Sequence, residues 1–155
     1  MRTVMTALLV AASTMLTTSA CRTAPSTAPM TSLPENVKWV DSPNLPGVKN
    51  AVLAGNPSQP GPFTVRGWFP ANYQVPAHSH PYDENITVIS GALYQSLGDR
   101  LDKSKGTRYG PGEFFRLPAN TRHSVWCTEE TVFQLHGVGP TGTTWVNPAD
   151  KPGKM

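Results

Sequence analysis

The chain has 155 residues, of which 38% are hydrophobic and 15% charged, and its formal net charge is +3. This length suits one domain with one core and is too short for two. Its 16 prolines and 13 glycines disfavour helix interiors, which excludes a helical bundle and favours short strands joined by turns. The basic residues are scattered, so no nucleic-acid partner is expected.

The N-terminus is typical of an exported protein. Arg2 precedes an apolar run over residues 4–16 and then small residues, which is the layout of a secretory signal peptide, and the run is too short to span a bilayer. Cys21 follows as in a bacterial lipoprotein, although Thr18 stands where leucine is usual. We therefore predict a signal peptide over residues 1–21. The exported protein is then either periplasmic or anchored to the membrane by a lipid on Cys21, its only expected membrane contact.

Residues 22–38 are small, polar and punctuated by proline, which predicts a disordered linker. A β-barrel domain is predicted over residues 39–150. No helical period of useful length occurs there, and short β-like runs separated by Pro/Gly turns recur instead. Residues 99–108, which are rich in charge, are predicted to be a mobile loop. The predicted strands are residues 48–53, 63–69, 73–77, 85–89, 92–97, 113–117, 124–127, 131–138 and 143–146.

Three of the four histidines fall in two patterned segments. Strand alternation puts His78 and His80 on one face of a strand. The next stretch of chain can bring the Glu84 side chain back to that face. His123 follows a turn and comes from a neighbouring strand. Imidazole nitrogens with one carboxylate suit a divalent Fe, Mn, Zn, Ni or Cu ion, and four protein ligands leave two octahedral positions open. The segments are His78-x-His80-x3-Glu84-x6-Gly91 and Gly112-x5-Pro118-x-Asn120-x2-His123.

These segments resemble the two motifs of the cupin superfamily. The range 67–91 matches the first motif and 112–123 the second, with Asn120 where glycine is usual and Cys127 where asparagine is common. The resemblance covers roughly residues 60–140. It implies an all-β fold, an antiparallel double-stranded β-helix or jelly-roll barrel. It also implies that one divalent metal is held by His78, His80, Glu84 and His123.

Four further residues are candidates for a ligand pocket. Gln134 and His136 share one strand face, so both point inward or both point outward. Cys127 has the parity of His123, and its thiol either contacts a ligand or fills space. Tyr73 is a further candidate, although barrel lining is its simpler interpretation.

Two functions are compatible with these residues. The first is a metal-dependent enzyme, an oxygenase or a lyase/isomerase acting on a small oxygenated organic molecule, with Glu84 as the catalytic proton acceptor. The second is a non-catalytic cupin in which the same site senses or stores a metal or small ligand. The expected partner is a small molecule in both cases, and a homodimer is left open.

Overall fold

The computed structural model describes residues 29–151. Within that range every regular element is a strand or a short 3-10 helix, so the predicted all-β class is confirmed. No helix there is long and apolar enough to cross a membrane. The predicted signal peptide, Cys21 and residues 22–28 lie outside the described range and stay predictions. The 3-10 helices are Pro34–Asn36, Lys103–Lys105 and Pro148–Asp150.

Eleven strands are numbered here in chain order, all pairing antiparallel. The first six are β1 Val40–Asp41, β2 Lys49–Ala54, β3 Gly61–Phe69, β4 Gln74–Ser79, β5 Glu84–Ser90 and β6 Leu93–Leu97. The remaining five are β7 Thr107–Tyr109, β8 Phe114–Leu117, β9 His123–Cys127, β10 Thr131–Gly139 and β11 Thr144–Trp145.

The strands form two sheets whose inner faces enclose one core. The six-stranded sheet has the order β1-β2-β3-β10-β5-β8, and the five-stranded sheet has the order β11-β4-β9-β6-β7. From β3 to β6, and again from β7 to β11, consecutive strands alternate between the sheets, as in a jelly roll. Apolar residues at every second strand position supply the core, which is the alternation that a half-buried strand requires. The core residues are Val48, Phe69, Val75, Ile86, Val88, Leu93, Phe115, Leu117, Val125 and Cys127.

One stretch is more ordered than its sequence indicates. Residues 99–108 were predicted as a loop, but they contain a 3-10 helix and the start of β7. The Asp102 side chain caps that helix by accepting a hydrogen bond from the Ser104 amide at 3.1 Å. Strand β7 then pairs with β6 through Arg108 opposite Tyr94.

Two turns of the patterned segments require unusual backbone angles. Gly91 joins β5 to β6 with a φ of +75°, and a Cβ there would lie 2.3 Å from the carbonyl oxygen of Glu130. Only glycine fits that turn. Asn120 has a φ of +64°, which asparagine tolerates better than most residues. Its amide donates to the carbonyl of His80 at 2.7 Å, so the turn before β9 is bonded to the segment after β4.

Candidate metal centre

Four side chains from three strands meet at one end of the barrel. His78 lies near the end of β4 and His80 directly after it, Glu84 begins β5, and His123 begins β9. Strands β4 and β9 are antiparallel neighbours in which His78 lies opposite His123. Because one strand ends where the other begins, the two sequence motifs come together at this end of the barrel.

The three imidazoles converge on a common point. Their ligand atoms lie within 4.8 Å of one another. The ring centroids of His78 and His123 are 4.3 Å apart, and those of His78 and His80 are 4.9 Å apart. His78, Glu84 and His123 are 4%, 5% and 2% exposed, so the cluster lies inside the barrel rather than on its surface.

Backbone carbonyls fix the same tautomer in all three histidines. The Nδ1 atoms of His78 and His80 lie 2.7 Å from the carbonyl oxygens of Pro76 and Gly142. That of His123 lies 2.9 Å from the carbonyl of Thr121. A carbonyl only accepts, so each Nδ1 must carry the proton. Each Nε2 therefore presents a lone pair to the centre of the cluster, as in metal-binding histidines whose outer nitrogen is hydrogen-bonded.

The Glu84 carboxylate faces those lone pairs. Its Oε1 lies 3.4 Å from Nε2 of His80, and its Oε2 lies 3.2 Å from Nε2 of His123. Oε2 is buried and, among the described residues, has no donor when His123 is neutral. Unpaired acceptors facing one another in a buried site are costly, and a cation between them would satisfy all of them at once. The residues present therefore fit a bound metal ion.

Burial governs the ionisation of this cluster. It lowers the pKa of His78 to about 3, with a further contribution from the charges that His123 and His80 carry when protonated. Burial raises the pKa of Glu84, but a hydrogen bond from protonated His123 and the charges of the imidazoles outweigh it, and the net direction is down. At neutral pH, His78 is uncharged and Glu84 is ionised.

The depressed pKa of His78 predicts that the metal-free protein loses stability as the pH falls from about 6.5 to about 3. In that window the unfolded chain takes up a proton at residue 78 and the folded protein does not. Unfolding in urea with a chelator should show a loss of roughly 2 kcal/mol between pH 7 and pH 4.5. His78→Gln should reduce that loss. Equal pH slopes in the variant and the wild type would contradict this prediction.

Aromatic side chains surround the cluster. Trp145 of β11 lies opposite His78 in the sheet, with ring centroids 5.5 Å apart. Tyr82 lies beside His80 at 5.3 Å and packs edge-on against Phe63. Burial, with a smaller contribution from Glu84, raises the pKa of the Tyr82 phenol, so its hydroxyl stays protonated and able to donate a hydrogen bond.

Gln134 and His136 both point outward. Their neighbours Phe133 and Leu135 on β10 pack against the core, which places the two polar side chains on the outer face of the six-stranded sheet. Gln134 accepts a hydrogen bond from Arg66 at 3.1 Å, and His136 bonds to the Thr64 hydroxyl at 3.3 Å. His136 also lines a cleft of about 480 Å³ on this side of the molecule. Neither residue belongs to the histidine cluster.

Tyr73 and Cys127 lie at the opposite end of the barrel from the cluster. Cys127 has the inward parity of His123 but is four residues further along β9, about 13 Å at a normal strand rise. Its thiol is buried and lies 3.2 Å from the carbonyl of Pro70. Tyr73 packs against Phe69 at 5.1 Å. Both residues therefore pack in the core and do not contact the histidine cluster.

One inward polar residue has no counterpart in the sequence motifs. Gln95 of β6 lies opposite Val125, which points into the barrel two residues after His123 on β9. Gln95 therefore faces the barrel interior as well. It is 6% exposed, and its Nε2 has no acceptor among the described residues. The sequence could have indicated this residue, because Gln95 is polar and stands between Leu93 and Leu97 at a position where strand alternation predicts an apolar side chain.

Replacing Gln95 with leucine is expected to stabilise the metal-free protein by about 1 kcal/mol, because it removes an unsatisfied buried amide without a large change in volume. Urea unfolding checks this. Gln134→Leu is the matched control, and it should not stabilise the protein because Gln134 already bonds Arg66. A destabilised Gln95→Leu variant would mean that the amide has a partner that stabilises the fold.

Comparison with known proteins finds a family similarity in the part of the chain that holds the histidine cluster. Residues 69–138 match the family model described as "Cupin domain". Over these residues the chain is similar to cupin domains. The matched range contains both patterned segments and all four residues of the cluster, whereas β11 lies beyond its end. A search of curated proteins finds no significant match.

Solved structures resemble this chain over the matched range and its flanking strands. The polyketide cyclase RemF from Streptomyces resistomycificus is 18% identical, with a TM-score of 0.61, and the match covers 78% of this chain and 89% of that one. KdgF from Halomonas sp. is 23% identical, with a TM-score of 0.54 and coverages of 69% and 93%. An RmlC-like cupin from Shewanella frigidimarina is 18% identical, with a TM-score of 0.57 and coverages of 72% and 91%. At these identities the likeness shows the fold alone.

Proposed function

We propose that the protein is a metal-dependent cupin enzyme that holds one divalent transition metal through three histidines and one glutamate. The observation that carries this proposal is the set of lone pairs on His80, His123 and Glu84 that face one another without a donor between them, with the Glu84 Oε2 atom buried. Three imidazoles and one carboxylate suit Fe, Mn, Zn, Ni or Cu. The proposed ligands are His78, His80, Glu84 and His123.

A divalent metal in this position would supply a Lewis acid that polarises an oxygen atom of the substrate. The chain's own residues would hold the geometry and move protons. The carbonyls bonded to Nδ1 keep the imidazoles in one orientation. Glu84 is ionised and reaches the centre of the cluster, so it is the proposed proton acceptor. Tyr82 keeps its proton beside His80, and its hydroxyl is the proposed hydrogen-bond donor to a bound oxygen.

The proposed substrate is a small oxygenated organic molecule, and the proposed reaction is an oxygenation or a lyase/isomerase step. Support for this class comes from the site's composition. The aromatic rings of Trp145 and Tyr82 flank the centre and would pack against an apolar body. The metal, Glu84 and the Tyr82 hydroxyl would bind oxygen atoms.

The test begins with metal analysis of the purified wild-type protein, which is expected to contain one divalent ion per chain. Enolisable ketones, hydroxy acids and phenols would then be screened under oxygen and under argon. Turnover only under oxygen would indicate an oxygenase, and equal turnover under argon a lyase or isomerase. A metal-loaded protein that turns over none of them would favour the binding function. A protein that takes up no metal would overturn the proposal.

A further inference from the structure

The segment that follows residues 69–138 contacts the histidine cluster. We call residues 140–146 the C-terminal strap. Within it, β11 pairs with the edge of β4 through Trp145 opposite His78 and Thr144 opposite Ser79. Two backbone hydrogen bonds extend this attachment, from Thr141 to Pro57 at 2.7 Å and from Val146 to Ala77 at 3.0 Å. The strap is therefore bonded to the barrel on both sides of its midpoint.

The strap supplies one of the three carbonyls that orient the histidines. His78 and His123 each bond to a carbonyl two residues earlier in their own strand or turn, so their orientation is set locally. His80 instead bonds to the carbonyl of Gly142, which is 62 residues away in sequence. The orientation of His80 thus depends on whether the strap is docked, whereas the orientations of the other two histidines do not.

The strap also contacts a second histidine through Trp145. The indole ring lies 5.5 Å from the imidazole of His78, and the two residues are paired across the sheet. Trp145 is half-buried and packs against the edge of the core. A strand of two residues forms few ladder bonds, and a strand so short is marginal without side-chain packing. Packing of this one indole is therefore the main apolar contribution to docking.

We propose that the C-terminal strap is a positioning element of the metal centre, and that Trp145 and the Gly142 carbonyl hold His80 and His78 ready to bind. This inference rests on the proposed metal centre. Docking of the strap and binding of the metal then stabilise one another, because each favours the same orientation of His80. An undocked strap leaves the Nδ1 of His80 to water, so the fixed tautomer and ring orientation are lost.

The test measures Zn²⁺ affinity by chelator competition in Trp145→Ala, Trp145→Phe and Trp68→Ala. Loss of a hydrogen-bonding partner behind a metal ligand typically costs about 10–100-fold in metal affinity, and we expect a loss of that size for Trp145→Ala. Trp145→Phe should restore most of the affinity. Trp68→Ala is the matched control, since Trp68 is half-buried on β3 and contacts Lys49 rather than the cluster. Its affinity should stay within about twofold of the wild type.

A second measurement uses the wild-type protein alone, so it does not depend on whether a variant folds. Hydrogen exchange of residues 140–147 in the wild-type protein should slow when Zn²⁺ is added, because the Val146 amide is protected only in the docked strap. Wild-type protein that binds Zn²⁺ without slowing this exchange, or Trp145→Ala that binds it as tightly as the wild type, would overturn the role of the strap and leave the proposed metal centre standing. Wild-type protein that binds no Zn²⁺ would overturn both.

Discussion

Replacing His78 and His80 together with alanine is expected to abolish stoichiometric metal binding. Four ligands of this kind typically contribute about 10–16 kcal/mol at a zinc site, so losing two should weaken binding by roughly 10³-fold or more. Metal analysis and thermal unfolding measure the effect independently. Added Zn²⁺ should raise the melting temperature of the wild type, because it binds only the folded state, and should leave that of the double variant unchanged.

His136→Ala is the matched control for this experiment. It removes the remaining histidine of the chain, which lies on the outer face of the six-stranded sheet and bonds to Thr64. Metal content and the Zn²⁺-dependent rise in melting temperature should both match the wild type. A double variant that retains one metal per chain would place the metal elsewhere. Equal losses in the double variant and in His136→Ala would show that histidine content, not this cluster, determines binding.

All strands except β1 and β7 could be predicted, because turn residues bound them and most of them alternate in polarity. Gly91, for example, ends β5 at a position where no other side chain fits, so the boundary is visible in the sequence. Strand β7 could not be predicted in the same way. Thr107–Tyr109 is short and mostly exposed, and it forms a strand because its backbone pairs with the edge of β6. A strand that forms only because it pairs with another segment need not show a polarity pattern in its own sequence.

The outward direction of the Gln134 and His136 side chains could have been predicted from the sequence. Phe133 and Leu135 alternate with them, and two apolar residues at alternate positions indicate which face meets the core. For Cys127, alternation gave the correct face but not the depth in the barrel, since parity alone does not distinguish residues at opposite ends of a strand. The position of a residue along the barrel axis depends on strand register, which the three-dimensional pairing sets.

The orientation of His80 had no sequence signal. The His-x-His spacing places the ring on the correct face, but its Nδ1 acceptor belongs to Gly142, in a loop whose position depends on how β11 pairs. The interactions that orient His78 and His123 are local and follow from strand geometry. Local sequence therefore predicted the proposed ligands, and long-range packing determines how firmly one of them is held.

Glu84→Gln is expected to lower turnover by about 10²–10⁴-fold while metal content stays near one per chain. The change removes the charge and the proton-accepting oxygen but keeps the size of the side chain. Three imidazoles remain as ligands, which is sufficient for a borderline divalent ion. Metal content and activity should be measured on the same preparation. Asp83→Asn is the matched control, because that neighbouring carboxylate faces Arg116 and the Ala119 amide rather than the cluster.

The comparison of these two variants separates the roles that Glu84 could have. Asp83→Asn removes the same charge one residue away, so a loss of activity confined to Glu84→Gln cannot come from a change in net charge. If metal content falls together with activity in Glu84→Gln, the carboxylate acts chiefly as a ligand. If metal content and turnover both stay at the wild-type level, the proton acceptor lies elsewhere. Retained metal with lost turnover is the result expected of a carboxylate that accepts a substrate proton, because the amide of glutamine cannot accept that proton.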